Sequence, residues 1–289
     1  MTDPAEPDAV SGPSGSGNKS NLVVRAISTF VLAPLALAIT WYGGLPFYGL
    51  AIVVAGLIFY EWGTVTGQFK APLVPIIICG GMLVGLVAII LQDAPNFGFV
   101  FLAGAFLAAA IYSMIQRAGF WLPTGVLYAA PFAIALWGLR SDEMFGLMAV
   151  IFLFAVIWAT DIGAYLVGRT IGGPKLWPAV SPGKTWSGAL GGLAGGVLAG
   201  VGVIYLSPHA VGLAIVAVSC GLSIISQFGD LFESAVKRRF GVKDSGHIIP
   251  GHGGIMDRVD GLIFAAIFAA AIGCARGGSS NIGEGLLIW

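Results

Sequence analysis

Two pairs of carboxylates, each three residues apart, stand at the ends of neighbouring apolar runs: Asp230 with Glu233, and Asp257 with Asp260. At helical spacing each pair shares one face. A carboxylate in or near hydrocarbon costs about 2.5–3.5 kcal/mol even on the lenient insertion scale, so four of them need compensation. Two sources are open. The acids pair within the chain, with Arg258 or the Lys237-Arg238-Arg239 group, or they hold a divalent cation such as magnesium. That ion takes a few carboxylate oxygens and completes its shell with water and substrate phosphate. Residues 230–260 hold ten charged side chains in thirty-one positions, plus His247 and His252. His252-Gly253-Gly254, just ahead of a helix start, would let backbone N–H groups approach an anion closely, helped by the helix dipole. Lys237, Arg238 and Lys243 would supply the counter-charge of a phosphate. A basic run alone is a solvated face or a headgroup contact; its combination with paired acids points to metal-assisted phosphate chemistry.

A second polar passage, residues 158–188, adds Asp161 inside an apolar run, where an acid is expensive and therefore suspect. Ser181-Pro182-Gly183-Lys184-Thr185 reads as a polar turn whose hydroxyls and ammonium suit a phosphate. It lacks the leading Gly and the spacing of a Walker A loop. The alternative is structural: Ser181 starts a turn and Thr185 caps the next helix.

The elements that must position these residues are membrane spans. Of 289 residues, 57% are hydrophobic and 10% charged, and mean hydropathy is +0.92. Soluble domains carry roughly a quarter charged residues. A hydrocarbon core of about 30 Å takes roughly 20 helical residues to cross, and unpaired backbone groups are intolerable there. An all-α integral membrane protein follows, a polytopic bundle of about nine transmembrane helices near 22–41, 45–60, 72–91, 97–115, 122–139, 144–167, 186–206, 210–228 and 256–275. Residues 1–20, rich in Pro, Gly, Ser and Asp, read as a disordered tail. An N-terminal transmembrane region (21–143) and a C-terminal catalytic one (144–289) follow. Gly191-Gly192 and Gly195-Gly196 give small-xxx-small spacing for close helix packing, and such faces permit a homodimer. Cys79, Cys220 and Cys274 sit in apolar runs as small buried hydrophobes.

With a cytoplasmic N-terminus, twelve of the fourteen Lys and Arg fall on the cytoplasmic side, and only Arg140 and Arg276 fall outside. This positive-inside asymmetry places the polar passages in the cytoplasm. Formal net charge is zero, and no nucleic-acid partner is expected.

At these residues the chain resembles the phosphatidate cytidylyltransferases, or CDP-diacylglycerol synthases. Their signature runs S-x-apolar-K-R-x4-K-D-x-small-x2-apolar-P/G-x-H-G-G-apolar-x-D-R-apolar-D. Ser234, Lys237, Arg238, Lys243, Asp244, Gly246, Pro250, His252, Gly253, Gly254, Asp257, Arg258 and Asp260 fill it without a gap over twenty-seven contiguous positions. Gly229-Asp230, Glu233, Asp161, Ser181-Pro182 and Lys184-Thr185 also look like the family's pattern, so the likeness covers roughly residues 150–275. The resemblance implies that phosphatidate and CTP give CDP-diacylglycerol and pyrophosphate with magnesium, at a bacterial inner membrane. It further implies that Asp230 and Asp257 hold the magnesium and Asp260 completes or orients its shell. Lys184, Lys237, Arg238, Lys243 and His252 would bind nucleotide and lipid phosphates, with Ser181, Thr185, Ser234, Gly253, Gly254 and Arg258 contributing to substrate binding. Ser187 departs from the family, which often carries an acid there.

Three rivals stand beside this reading. A related enzyme would cytidylylate a different lipid phosphate. A CDP-alcohol phosphotransferase is suggested by Asp257-Arg258-Val259-Asp260-Gly261, but Phe264-Ala265 stands where its motif has Ala-Arg. A transporter would place polar residues at the midplane of broken helices, whereas here they gather on one side.

Overall fold

Helices make up nearly all of the fold, as a backbone that must satisfy its own polar groups in lipid requires. The computed structural model describes residues 33–91, 95–207, 212–248 and 253–289. Along these run α1 (Ala33–Tyr42), α2 (Gly44–Val65), a short 3-10 turn (Gln68–Lys70), α3 (Leu73–Ile90), α4 (Pro95–Ile115), α5 (Trp121–Ser141) and α6 (Gly146–Thr170). Strands β1 (Lys175–Trp177) and β2 (Ser181–Thr185) follow, then α7 (Trp186–Tyr205), α8 (Leu213–Arg239), α9 (Met256–Gly277) and α10 (Ile282–Leu287). Eight of these helices, α2 to α9, are long and apolar enough to cross a membrane. The expected first span corresponds to α1, and its start lies outside the described residues, as does the tail 1–20.

Large apolar side chains cover the outside of the bundle: Leu73 is 71% exposed and Leu198 72%. In water that surface would be costly; against acyl chains it is the natural solvent face. Inside, Phe59, Trp62, Phe132 and Phe152 are fully buried. An aromatic cluster joins four helices beneath the polar end. Trp62 of α2 stacks on Phe232 of α8 at 6.1 Å, and Tyr128 of α5 and Phe264 of α9 pack around them. Trp62 Nε1 donates to the Trp121 carbonyl at 2.7 Å.

The glycine spacing in α7 has the expected use. A Cβ at Gly192 would lie 2.7 Å from the Thr160 carbonyl of α6, so only glycine lets these two backbones approach so closely. Likewise α8 meets α9 at Gly229, whose α-carbon faces the Asp260 carbonyl.

Three features depart from the expected elements. The eighth helix does not stop near residue 228 but continues to Arg239. Phe232 and Val236 extend its inward stripe, so packing maintains the helix after its hydropathy falls. The passage after α6 is not a simple turn: β1 and β2 pair antiparallel, Lys175 opposite Thr185 and Trp177 opposite Ser181. Finally α10 folds back, its Glu284 N–H donating to Asp142 Oδ2 at 2.8 Å.

Candidate active site

Antiparallel packing gathers four helix ends at one end of the bundle: the C-terminal halves of α6 and α8 and the N-termini of α7 and α9. Between α6, the hairpin, α7 and α8 lies a cavity of about 480 Å³ lined by Asp161, Arg169, Lys175, Lys184, Gln227 and Asp230 among others. The hairpin brings Lys184 into it, where its ammonium pairs with the Asp230 carboxylate. Lys184 is also near enough to Asp161 to attract it electrostatically. Arg238 holds the hairpin against α8, its Nε donating to the Val180 carbonyl at 3.3 Å. Ser234 Oγ lies 3.4 Å from Asp230 Oδ1, its acceptor.

Thr185 also lines this cavity, but its buried hydroxyl caps α7, accepting from Gly188 N–H at 3.1 Å. The structural alternative for this residue is therefore realised. Ser181 pairs with Trp177 at the turn end of the hairpin and does not line the cavity. Ser187, where the resemblance led one to expect an acid, donates to the Gly172 carbonyl and shares a 3.0 Å hydrogen bond with Thr185. It fastens the two ends of the hairpin together.

Asp161 of α6, Asp230 of α8 and Asp260 of α9 interact electrostatically with one another. Asp257 lies in an internal network, and neither it nor Asp260 lines the cavity; Glu233 interacts with both of them. Asp257 Oδ1 accepts from Lys237 Nζ at 2.6 Å, and its Oδ2 from Ser245 N–H at 2.9 Å and Gly254 N–H at 3.0 Å. Lys237 is itself buried and lies 3.2 Å from Glu233, a fully buried carboxylate one helical turn away. Asp230 thus faces the cavity, while Asp257 anchors the passage ahead of α9. Among the described residues no three Asp, Glu, His or Cys side chains form a group arranged to hold a metal ion.

Sequence reasoning missed one residue that organises this end. Glu61, near the C-terminus of α2, is 1% exposed. Its carboxylate accepts from Ser245 Oγ at 3.0 Å, Ile255 N–H at 2.9 Å and Met256 N–H at 2.7 Å. It therefore supplies from another helix the cap that α9 lacks locally. The signal was present: an acid in an apolar run is suspect wherever it stands, and the rule applied to Asp161 applies equally to Glu61.

Glu61 also explains a glycine of the HGG passage. A Cβ on Gly254 would lie 2.5 Å from Glu61 Oε2 and 1.9 Å from Ser245 Oγ. Where an anion cradle was expected, the Gly254 amide is committed to Asp257 inside the protein. Gly253 adopts a φ of +82°, which permits this turn at little steric cost. His252 lies outside the described residues. Lys243 is exposed on the connection after α8, away from the cavity lining. Arg258 faces a different, apolar cavity.

The model of the cytidylyltransferase family matches residues 23–274. A phosphatidate cytidylyltransferase of Brucella suis is 42% identical over 247 residues, 86% of this chain and 91% of that protein. Its counterpart in Brucella abortus matches to the same extent. A phosphatidate cytidylyltransferase of Staphylococcus haemolyticus is 46% identical over 126 residues, 43% of this chain and 47% of that one.

Proposed function

We infer the reaction from the premise that this chain belongs to the cytidylyltransferase family: it converts phosphatidate and CTP to CDP-diacylglycerol and pyrophosphate at a membrane. The observation that carries this reading is the polar cavity at one end of an apolar bundle, with Lys184, Lys175 and Arg169 set among Asp161 and Asp230. A phosphatidate oxygen attacks the α-phosphorus of CTP. The bond from that phosphorus to the bridging oxygen breaks, and pyrophosphate leaves. The attacking oxygen is already ionised at neutral pH, so no general base is needed. Lys175, Lys184 and Arg169 neutralise the triphosphate and the departing pyrophosphate. Lys237 and Asp257 keep the start of α9 rigid, which sets Asp260 relative to Asp230.

Magnesium fits this arrangement on charge. Asp161, Asp230 and Asp260 bring three carboxylates from three helices, and the Lys184 ammonium offsets one of them. Magnesium is usually held by one or two carboxylates, with water and substrate phosphate completing the octahedron, so a full protein cage is not required. Asp230 and Asp161, which line the cavity, would hold it, with Asp260 close to both. Asp257, which already accepts three hydrogen bonds, would have little capacity left for the ion. When bound, the ion would act as a Lewis acid on the phosphoryl oxygens and screen the repulsion between two anionic substrates. We assign the cavity to the cytoplasmic face of a bacterial inner membrane, from the positive-inside charge distribution and the need to receive CTP.

The test is direct. Purified protein in detergent, given phosphatidate, magnesium and CTP labelled at the α-phosphate, should form lipid-linked CMP and pyrophosphate in equal amounts, and none once a chelator is added. Absence of lipid-linked label with magnesium present would overturn the reading.

A further inference from the structure

A second cavity, of about 330 Å³, lies between α1, α2, α5, α6 and α9. Its volume is in the range of small-ligand sites, ~300–1,000 Å³. Its walls are almost wholly apolar: Ile39, Phe47, Val54, Leu136, Phe154 and Leu262 are typical. Arg258 is the one charged side chain lining it among the described residues. Ile255, Arg258, Val259 and Leu262 reach it from one stripe of α9, at the spacing that aligns side chains along a helix face.

Two geometric facts identify what it accommodates. The first is its depth. Ile255, beside Arg258, is hydrogen-bonded to Glu61 on α2, and Phe47 lines the other end of the groove on the same helix. Fourteen residues of α2 separate these levels, about 21 Å at a rise of ~1.5 Å per residue. The groove therefore runs from the polar end of the bundle well into the hydrocarbon, with its cation at the polar end. The second is its neighbour. On α6, Trp158 lines this groove and Asp161 lines the polar cavity. Residues three apart on a helix are adjacent, with roughly 5–6 Å between Cβ atoms. The two cavities therefore adjoin within a single turn of α6.

We propose that this groove binds an acyl chain of the lipid phosphate substrate, with Arg258 at the level of its headgroup. The proposal deepens, and rests on, the cytidylyl-transfer reading. The lipid enters from the bilayer between α1, α2, α5, α6 and α9, the nucleotide enters from water on the hairpin side, and their phosphates meet at Asp161. A guanidinium recognises a phosphate bidentately, and an apolar channel below it selects for a chain rather than a soluble phosphate.

Filling the groove tests this on the full-length protein in mixed micelles. Val54→Trp narrows it, whereas Val53→Trp places the same bulk on an exposed position of the same helix outside the lining. For Val54→Trp the KM for dioleoyl phosphatidate should rise about tenfold or more, equivalent to roughly 1.4 kcal/mol, with the KM for CTP unchanged. Val53→Trp should match the wild type, and Arg258→Ala should also raise the lipid KM. Independently of variant folding, a phosphatidate carrying a diazirine on its acyl chain should photolabel Val54 or Leu262 in the wild type. A wild-type lipid KM in folded Val54→Trp, or labelling confined to the outer faces, would overturn the proposal. Equal labelling by a diazirine phosphatidylcholine would also overturn it, since the groove would then take any lipid. A wild type that makes no lipid-linked CMP would overturn the reaction itself, while the labelling would still report whether the groove holds a lipid phosphate.

Discussion

Glutamine at position 61 should disable the enzyme from a helix that contributes nothing to the polar cavity. The Glu61 carboxylate faces only donors: Ser245 Oγ, Ile255 N–H and Met256 N–H, all within 3.0 Å. Two acceptor-only oxygens meet that demand. A glutamine amide offers one acceptor and must turn its NH₂ towards a donor. Leaving a buried donor unsatisfied costs about 1–3 kcal/mol, and losing a negative charge from a partly buried helix N-terminus costs up to ~2 kcal/mol more. Together, about 3 kcal/mol of distortion falls on the first turn of α9, which carries Asp257 and leads directly into Asp260. Expressed in the transition state, that is about 100-fold in kcat. The KM for CTP should move little, because Lys184 and the hairpin are untouched. Steady-state kinetics on purified Glu61→Gln, well below its unfolding temperature, measure this split. Hydrogen exchange should show faster opening of the amides at 254–257. Glu61→Asp, which keeps the charge on a shorter arm, should recover part of the rate. Turnover of Glu61→Gln near the wild-type value, or a loss explained wholly by unfolded protein, would refute the reasoning.

Other outcomes follow from the same contacts. Lys237→Met leaves Glu233 and Asp257 without their shared cation; breaking such a buried pair costs about 3–5 kcal/mol, which should appear as a markedly lowered unfolding temperature in detergent. Gly254→Ala forces a Cβ against Ser245 Oγ and Glu61 Oε2, so activity should fall by about tenfold or more, the price of at least ~1.4 kcal/mol of misplacement in the active site. Asp161→Asn should raise the magnesium concentration needed for half-maximal activity and weaken magnesium binding in calorimetry with CTP present; unchanged values would remove Asp161 from the ion's surroundings.

Much of this was legible in the amino-acid order because lipid makes simple demands. Long apolar runs had to be helices, and α3, α5 and α6 lie where hydropathy put them. The acids Asp161, Asp230, Asp257 and Asp260 stood out because charge is costly there. What escaped depends on contacts between distant segments. The last turns of α8 persist because Phe232 packs on Trp62 of α2 and Tyr128 of α5 and Val236 joins the buried core, which local hydropathy does not register. The hairpin is three residues paired with five in a Gly- and Pro-rich stretch, too short for a periodic signal. The surroundings of Asp257 were equally hidden. Equal spacing in the chain suggested equal roles for the Asp230 and Asp257 pairs, yet Lys237 and two backbone amides hold Asp257 inside the protein. Only the position of Glu61, nearly two hundred residues from the helix it caps, explains why that passage folds inward.

The most direct test of the chemistry is Asp230→Asn. This substitution keeps the shape of a side chain on the cavity wall and removes the charge that pairs with Lys184. Lipid-linked CMP formed from labelled CTP and phosphatidate, at saturating magnesium, should fall by about 1,000-fold or more, a loss of roughly 4 kcal/mol of transition-state stabilisation, while the variant elutes and melts like the wild type. An Asp230→Asn enzyme turning over at the wild-type rate would contradict the assignment of this cavity to cytidylyl transfer.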